Sequence, residues 1–277
     1  MPFPICLNSN TYHGFGLSDA MHGAAAAGIT HIELASVAGW TEHVSPDSSD
    51  ADLGRLLAAL DAHGLRATAL GGHANLTTAA GRQLFRRNLL LGARLGVDYV
   101  VTGTGETHGD EERIGDEAAF IAELAGLAEA ATQAGVTIAV ETHGANYPTG
   151  AAVARLVEQV DSPALGIAYD TGNTIYYGGV EPYDDLAATL PRVTGLHLKD
   201  KAGEPGDWDF PAIGTGTTDM ARVLAVLGAG RSAAVVPLSI EVEFTPAGPA
   251  DVAEVHRAVQ TSVATLRALG HVEGLAA

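Results

Sequence analysis

Four short apolar runs in the second half of the chain each end in an ionisable residue. Ile138-Ala139-Val140 leads into Glu141-Thr142-His143, and Ala168-Tyr169 into Asp170. Gly195-Leu196 leads into His197-Leu198-Lys199, and Ser239-Ile240 into Glu241-Val242-Glu243. Carboxylates carried into a protein interior need a cation or hydrogen-bond partners. Few basic residues lie nearby to supply them. If the four runs are neighbouring strands, Glu141, Asp170, His197 and Glu241 close a site for a divalent cation. Three carboxylates and one imidazole suit Mn²⁺, Mg²⁺ or Co²⁺ better than a metal that prefers thiolates. Each residue also has an ordinary explanation on its own: Asp170 as a helix N-cap, His197 as a satisfied core group. The succession of four is what points to a metal.

Side chains alternate faces along a strand. His143 therefore shares the face of Glu141, Lys199 that of His197, and Glu243 that of Glu241, and either Glu241 or Glu243 could be the ligand. His143 is a candidate acid, base or substrate-orienting group. Lys199 could hold a substrate oxygen, or form a salt bridge to Glu241 or Glu243. Of the 15 basic residues only two are lysines, Lys199 and Lys201, and both fall in this stretch. Earlier in the chain, Glu33 and His73 end two further apolar runs and could bind substrate hydroxyls. The glycines before His73 suggest close approach of backbone to ligand. Trp40 and Trp208 lie in long polar loops, where they could cover a sugar ring or simply pack. Cys6 reads as a small core hydrophobe.

The elements that must position these residues alternate regularly. Strands are predicted near Pro4–Asn10, His31–Ser36, Ala67–Gly72, Tyr99–Thr104, Thr137–Thr142, Gly166–Asp170, Val193–Lys199 and Val235–Glu243. Helices are predicted near Asp19–Ala27, Asp50–His63, Ala79–Leu95, Asp116–Ala134, Gly150–Val160, Tyr183–Leu190, Thr218–Leu227 and Pro249–Leu269. Strands alternating with helices imply a parallel sheet, and eight such units imply one closed (β/α)₈ barrel spanning residues 1–277. An open doubly wound sheet would carry a glycine fingerprint after its first strand, where Asn8-Ser9-Asn10-Thr11-Tyr12 stands instead. Gly28, Gly64, Gly96, Gly135 and Gly270 each follow a helix as terminating glycines do. The long polar loops Ala38–Ser49, Gly105–Gly115, Asn173–Pro182 and Asp200–Thr217 follow strands, so function belongs at the strand C-termini.

Composition restricts the partners. The 277 residues carry 33 acidic against 15 basic side chains, a net charge of −18. Such a surface repels phosphate backbones and anionic membranes. The single cysteine excludes an internal disulfide and fits a reducing compartment. With neither a signal-peptide pattern at its N-terminus nor a long apolar run, the protein is expected to be cytoplasmic.

Glu141-Thr-His-Gly, Asp170-Thr-Gly-Asn, His197-Leu-Lys-Asp and Ser239-Ile-Glu241-Val-Glu together resemble the xylose-isomerase-like sugar phosphate isomerase/epimerase superfamily. The resemblance is strongest over residues 136–244 and implies a TIM barrel. It also implies a divalent ion held by Glu141, Asp170, His197 and Glu241, with Mn²⁺ first and Mg²⁺, Co²⁺ or Zn²⁺ as other occupants. The shared chemistry is proton abstraction beside a metal-bound carbonyl. With the strand-face reading above, Glu141, Glu241, His143 and Lys199 are the catalytic candidates, and Glu33, His73, Trp40, Trp208 and Asn173 the substrate-binding ones. Asn173 stands where ketose 3-epimerases usually have a histidine, and His-x-Lys-Asp looks more like the inosose dehydratase branch. The DNA-repair endonuclease branch needs more metal-binding histidines and a DNA-binding surface, against which the charge argues. The expectation is a sugar or keto-sugar isomerase or epimerase, with a dehydratase or β-eliminating, C-glycoside-cleaving lyase as runner-up. A non-catalytic carbohydrate-binding barrel ranks third. The expected partner is a small sugar, with no nucleic acid or membrane. A homo-oligomer is compatible with this reading, as is a small accessory subunit if the chain cleaves C-glycosides.

Overall fold

A computed structural model describes residues 3–105, 113–229, 237–270 and 272–273. Eight parallel strands alternate with helices. The strands are β1 (Phe3–Asn8), β2 (His31–Ala35), β3 (Arg66–Gly71), β4 (Tyr99–Thr102), β5 (Thr137–Glu141), β6 (Leu165–Asp170), β7 (Val193–Leu198) and β8 (Leu238–Ile240). They hydrogen-bond in sequence order, and β1 pairs with both β8 and β2, which closes the barrel. A two-residue strand β9 (Val272–Glu273) pairs with the start of β1.

The helices are α1 (Leu17–Ala26), α2 (Asp50–Ala62), α3 (Ala79–Leu95), α4 (Glu117–Ala134), α5 (Gly150–Val160), α6 (Thr171–Tyr176), α7 (Pro182–Thr189), α8 (Met220–Ala229) and α9 (Val252–Leu269). Ser49, Thr78, Asp116, Thr149 and Asp251 cap α2, α3, α4, α5 and α9 with side-chain oxygens, satisfying backbone donors that the first helical turn leaves open. The five glycines expected to end helices all have φ between 66° and 78°, the left-handed region that glycine enters without steric cost. Among the described residues, no helix is long and apolar enough to cross a membrane.

The barrel interior is narrow and mixed in polarity. Ala69, Val101, Ala139 and Ala168 surround the ring of Tyr99. A Cβ on Gly195 would sit 2.6 Å from that ring, so small residues on β3, β5, β6 and β7 leave room for the tyrosine to cross. The main apolar core lies outside, between sheet and helices.

Two elements differ from expectation. The eighth strand is short: Leu238–Ile240 pairs, and residues 235–236 lie outside the described residues. Glu241, Val242 and Glu243 continue beyond it, held by bonds from their amides to Leu198 O, Thr11 Oγ1 and Phe210 O. Helix α6 was not foreseen; six residues are too few to show a helical period. Most of the expected Gly105–Gly115 loop, residues 106–112, also lies outside the described residues.

Candidate metal centre and active site

Glu141 is the last residue of β5 and Asp170 the last of β6. His197 is penultimate on β7, and Glu241 follows β8 directly. Barrel closure brings these ends together, with Asp170 in register with His197. One ligand atom from each of the four lies within 4.8 Å of the others, and all four residues are buried. His197 Nδ1 is 2.7 Å from Glu141 Oε1, 3.4 Å from Glu241 Oε2 and 3.8 Å from Asp170 Oδ2.

Asp170 divides its two oxygens between two tasks. Oδ1 accepts the amides of Gly172 and Asn173, both at 2.8 Å, and so caps α6. Oδ2 is buried and accepts no hydrogen bond; it faces the cluster, with the Lys199 ammonium 3.1 Å away. That ammonium is shared with Glu241 and Glu243, each 2.9 Å away, so it does not neutralise Asp170 alone. The local charge count says the same. Glu33, Glu141, Asp170, Glu241 and Glu243 face one ammonium, Lys199, and two imidazoles, His197 and His73. Five carboxyls against three cationic groups at most leave a deficit that a divalent ion would fill. The residues therefore fit a hard cation.

The titration of these groups follows from the same crowding. Burial alone would raise the Glu141 carboxyl, but hydrogen bonds from His197 and His73 hold it well below the usual range. Burial pushes Asp170 up to about 6 against the pull of Lys199, and repulsion from Glu141 and Glu241 adds to the rise. Burial opposes charge on His197 and Lys199, yet the surrounding carboxylates keep both well above their ordinary values. Glu241 is held low by Lys199 and His197 despite its burial. Burial raises Glu243.

Glu33, expected to bind substrate, does not line the cavity described below. It is fully buried against His197. Its two oxygens each lie 3.1 Å from His197 Nε2, and Oε2 accepts the Ser239 hydroxyl at 2.9 Å. The Nε2–H donates to Glu33, which turns Nδ1 toward the other carboxylates. This carboxylate–histidine relay is how proteins orient a metal-ligating imidazole.

Above the cluster a cavity of about 40 Å³ opens, lined by His73, His143, Asn173, Lys199, Trp40 and Trp208 among others. His73 Nε2–H donates to Glu141 Oε2 at 2.9 Å. Gly71 lines the cavity, whereas Gly72 makes room for Asn88 and Val100 rather than for a ligand. Lys199 Nζ contacts Glu241 and Glu243, each at 2.9 Å, so the expected salt bridge forms with both. A Cβ on Gly172 would lie 2.9 Å from Lys199 Cγ, so the Asp-Thr-Gly-Asn glycine is what lets the lysine stem pass. Lys201 instead turns away to the backbone oxygens of Ala202 and Glu204. Asp200 gathers the amides of Gly214, Gly216 and Thr218, fixing the loop that carries Trp208.

Three polar residues that line the cavity, Asn8, Asn10 and Tyr177, do not stand out in the sequence. Asn8 and Asn10 both donate to Glu241 Oε1, at 2.9 and 3.0 Å, and Asn10 also to Glu243 at 3.1 Å. The Asn-x-Asn spacing after the first strand was their one available signal. Tyr177 follows α6, and its hydroxyl lies 3.2 Å from His143 Nε2.

A family model described as a xylose isomerase-like TIM barrel matches residues 22–267. No curated protein matches in sequence. Among solved structures, a xylose isomerase domain protein from Planctomyces limnophilus superposes with a TM-score of 0.76 at 18% identity, covering 97% of this chain and 96% of that one. A D-psicose 3-epimerase determined in the presence of D-fructose gives 0.75 at 18% identity over 97% and 99%. The IOLI protein with a bound zinc atom gives 0.75 at 21% over 97% and 98%. At these identities the likeness concerns the fold.

Proposed function

The chain belongs to the family of xylose isomerase-like TIM barrels, and from that premise we propose that it is a divalent-metal-dependent isomerase or epimerase of a sugar or keto-sugar. The observation that carries the reading is the convergence of Glu141, Asp170, His197 and Glu241, with Asp170 Oδ2 buried and lacking a hydrogen bond. These four would hold the ion, Mn²⁺ by the hardness of the donors. When bound, it supplies polarisation of a substrate carbonyl and so acidifies the adjacent C–H. A D-psicose 3-epimerase and an L-ribulose 3-epimerase among the structural neighbours favour a sugar substrate.

The chain's own groups would do the rest. Glu241 and Glu141 are both held ionised and lie on different sides of the cavity, on the β8 and β5 sides. One would take the proton from carbon, and the other, after taking up a proton from solvent, would deliver it from the opposite face. Lys199 and Asn173, 3.5 Å apart, would orient substrate oxygens. His143, paired with Tyr177, would move a proton between substrate hydroxyls. That same pair gives a lyase its second claim, because it can protonate a departing oxygen.

The deciding experiment incubates the Mn²⁺-loaded protein with candidate keto-sugars in D₂O and follows NMR. Deuterium on a substrate carbon with an isomeric product supports the proposal, and an unsaturated product supports the lyase. Full activity in excess chelator, with no metal by elemental analysis, refutes both.

A further inference from the structure

Beside the small inner cavity lies a much larger one, about 460 Å³, above β8, β1 and β2. The two share Asn10, Trp40, Trp208 and Glu243 as a common wall. The inner space of about 40 Å³ holds a few waters at most. The outer chamber alone of this pair reaches the size of small-molecule sites, roughly 300–1,000 Å³. A substrate too large for the inner space would extend past the common wall into the outer chamber.

The chemistry of that chamber is apolar. Trp40, Tyr176, Trp208, Val242, Phe244 and Pro246 contribute to its wall. Tyr176 meets Trp208 edge-on, with ring centroids 5.6 Å apart at 82°. His13 stacks on Trp40 at 4.0 Å and 12°. Apart from Thr245, the polar side chains of the chamber are already engaged by the protein, Glu243 by Asn10 and Lys199. Asn10 bonds Glu241, Glu243 and Thr41; Thr11 accepts the Val242 amide; His13 pairs with Thr41. A second sugar ring would bring hydroxyls to a surface with few partners to offer.

Phe244 adds an independent sign. Its φ is +59°, a conformation that a bulky residue adopts only at a cost and that clusters at ligand sites. Two backbone bonds of 2.9 Å to Phe210 hold it there. The geometry points to an aryl-binding subsite: resting on the proposed activity, the substrate is a sugar carrying an aromatic substituent, with the sugar turned toward Glu241 and the aromatic ring in the outer chamber.

The protein's two tryptophans line both this chamber and the inner cavity, so intrinsic fluorescence reports occupancy of either, and the comparison of probes and variants assigns it. Methyl β-glucoside, phenyl β-glucoside, cellobiose and phenol alone would be titrated, with Mn²⁺ and again in excess chelator. The phenyl glucoside should bind about ten- to a hundredfold tighter than the methyl glucoside, the range expected from burying one phenyl side chain's apolar surface. Phenol should compete with it, and the preference should survive chelation. Phe244→Gly keeps the left-handed backbone without strain and should lose most of the preference while retaining Mn²⁺ affinity. Tyr176→Ala should do likewise. No response to either aromatic probe, or cellobiose binding as tightly as the phenyl glucoside, overturns the assignment. Absence of deuterium exchange on every keto-sugar, with the fluorescence preference intact, rejects the isomerase reading and leaves the subsite standing.

Discussion

Replacing Glu33 by Gln separates support of the metal site from the site itself. Glu33 touches nothing in the cavity; its carboxylate meets His197 Nε2 at 3.1 Å and the Ser239 hydroxyl at 2.9 Å. Gln is nearly isosteric and keeps one acceptor oxygen, so the hydrogen bond can persist while the charge goes. At 3.1 Å and an effective dielectric near 20, carboxylate and imidazolium attract by about 5 kcal/mol, an upper bound on what the charge does. Two effects then oppose each other. A weaker hold on the imidazolium lowers proton competition for His197 Nδ1, which helps the metal. A less basic, less firmly oriented imidazole ligates more weakly, which hurts it. Loss of such a relay typically costs about 10–100-fold in metal affinity, or about 1.4–2.7 kcal/mol, and that loss should prevail. Calorimetric titration with Mn²⁺ in two buffers of different ionisation enthalpy measures both effects. Glu33→Gln should bind more weakly by that factor and release fewer protons on binding, with an unchanged circular dichroism spectrum. Affinity within about threefold of wild type, less than the ~1.4 kcal/mol of a tenfold change, with unchanged proton release, would refute the relay.

Other expectations follow from the same cluster. His143→Ala should retain stoichiometric Mn²⁺ and lose roughly 10²–10⁴-fold in turnover, with Tyr177→Phe losing less; loss of metal in the His143 variant, by elemental analysis, would make it a ligand instead. Lys199→Met strips the buried carboxylates of their ammonium, so the chelated protein should lose about 3–5 kcal/mol of stability. Mn²⁺ should then raise Tm by more than it does in wild type; equal melting curves would show that the ammonium is not a countercharge. Cys6 is fully buried, and burial together with Glu33 pushes its thiol up to about 12. The native protein should not react with a disulfide reagent at pH 8, whereas one thiol should titrate in guanidinium.

What was legible in the sequence depended on the period of the signal. The helices of ten residues or more, their terminating glycines and the apolar strands repeat often enough to be read from one chain. The pleat assigns a side chain to the inner or outer face with a period of two, which brought Glu141, His197 and Glu241 to one interior. Height along the barrel axis is a different matter, because it comes from the stagger between strands that closure imposes. Glu33 illustrates this: in register it pairs with Asn8, yet its side chain meets His197 while that of Asn8 reaches Glu241. Tyr177 escaped for another reason, since α6 is too short to carry a pattern.

Asp170 shows why its two sequence readings, helix cap and metal ligand, were never alternatives. A carboxylate has two oxygens, and at the end of β6 the chain turns directly into α6. The amides of Gly172 and Asn173 fix Oδ1, which leaves Oδ2 aimed at the cluster without a torsion of its own to spend. The cap thus immobilises the ligand oxygen before any ion arrives. The residues that form the cap, Thr171 to Asn173, also include the glycine past which Lys199 threads and the asparagine 3.5 Å from its ammonium. Local helix chemistry and site chemistry are here one set of bonds, so a residue with a sufficient structural explanation is not thereby excluded from function.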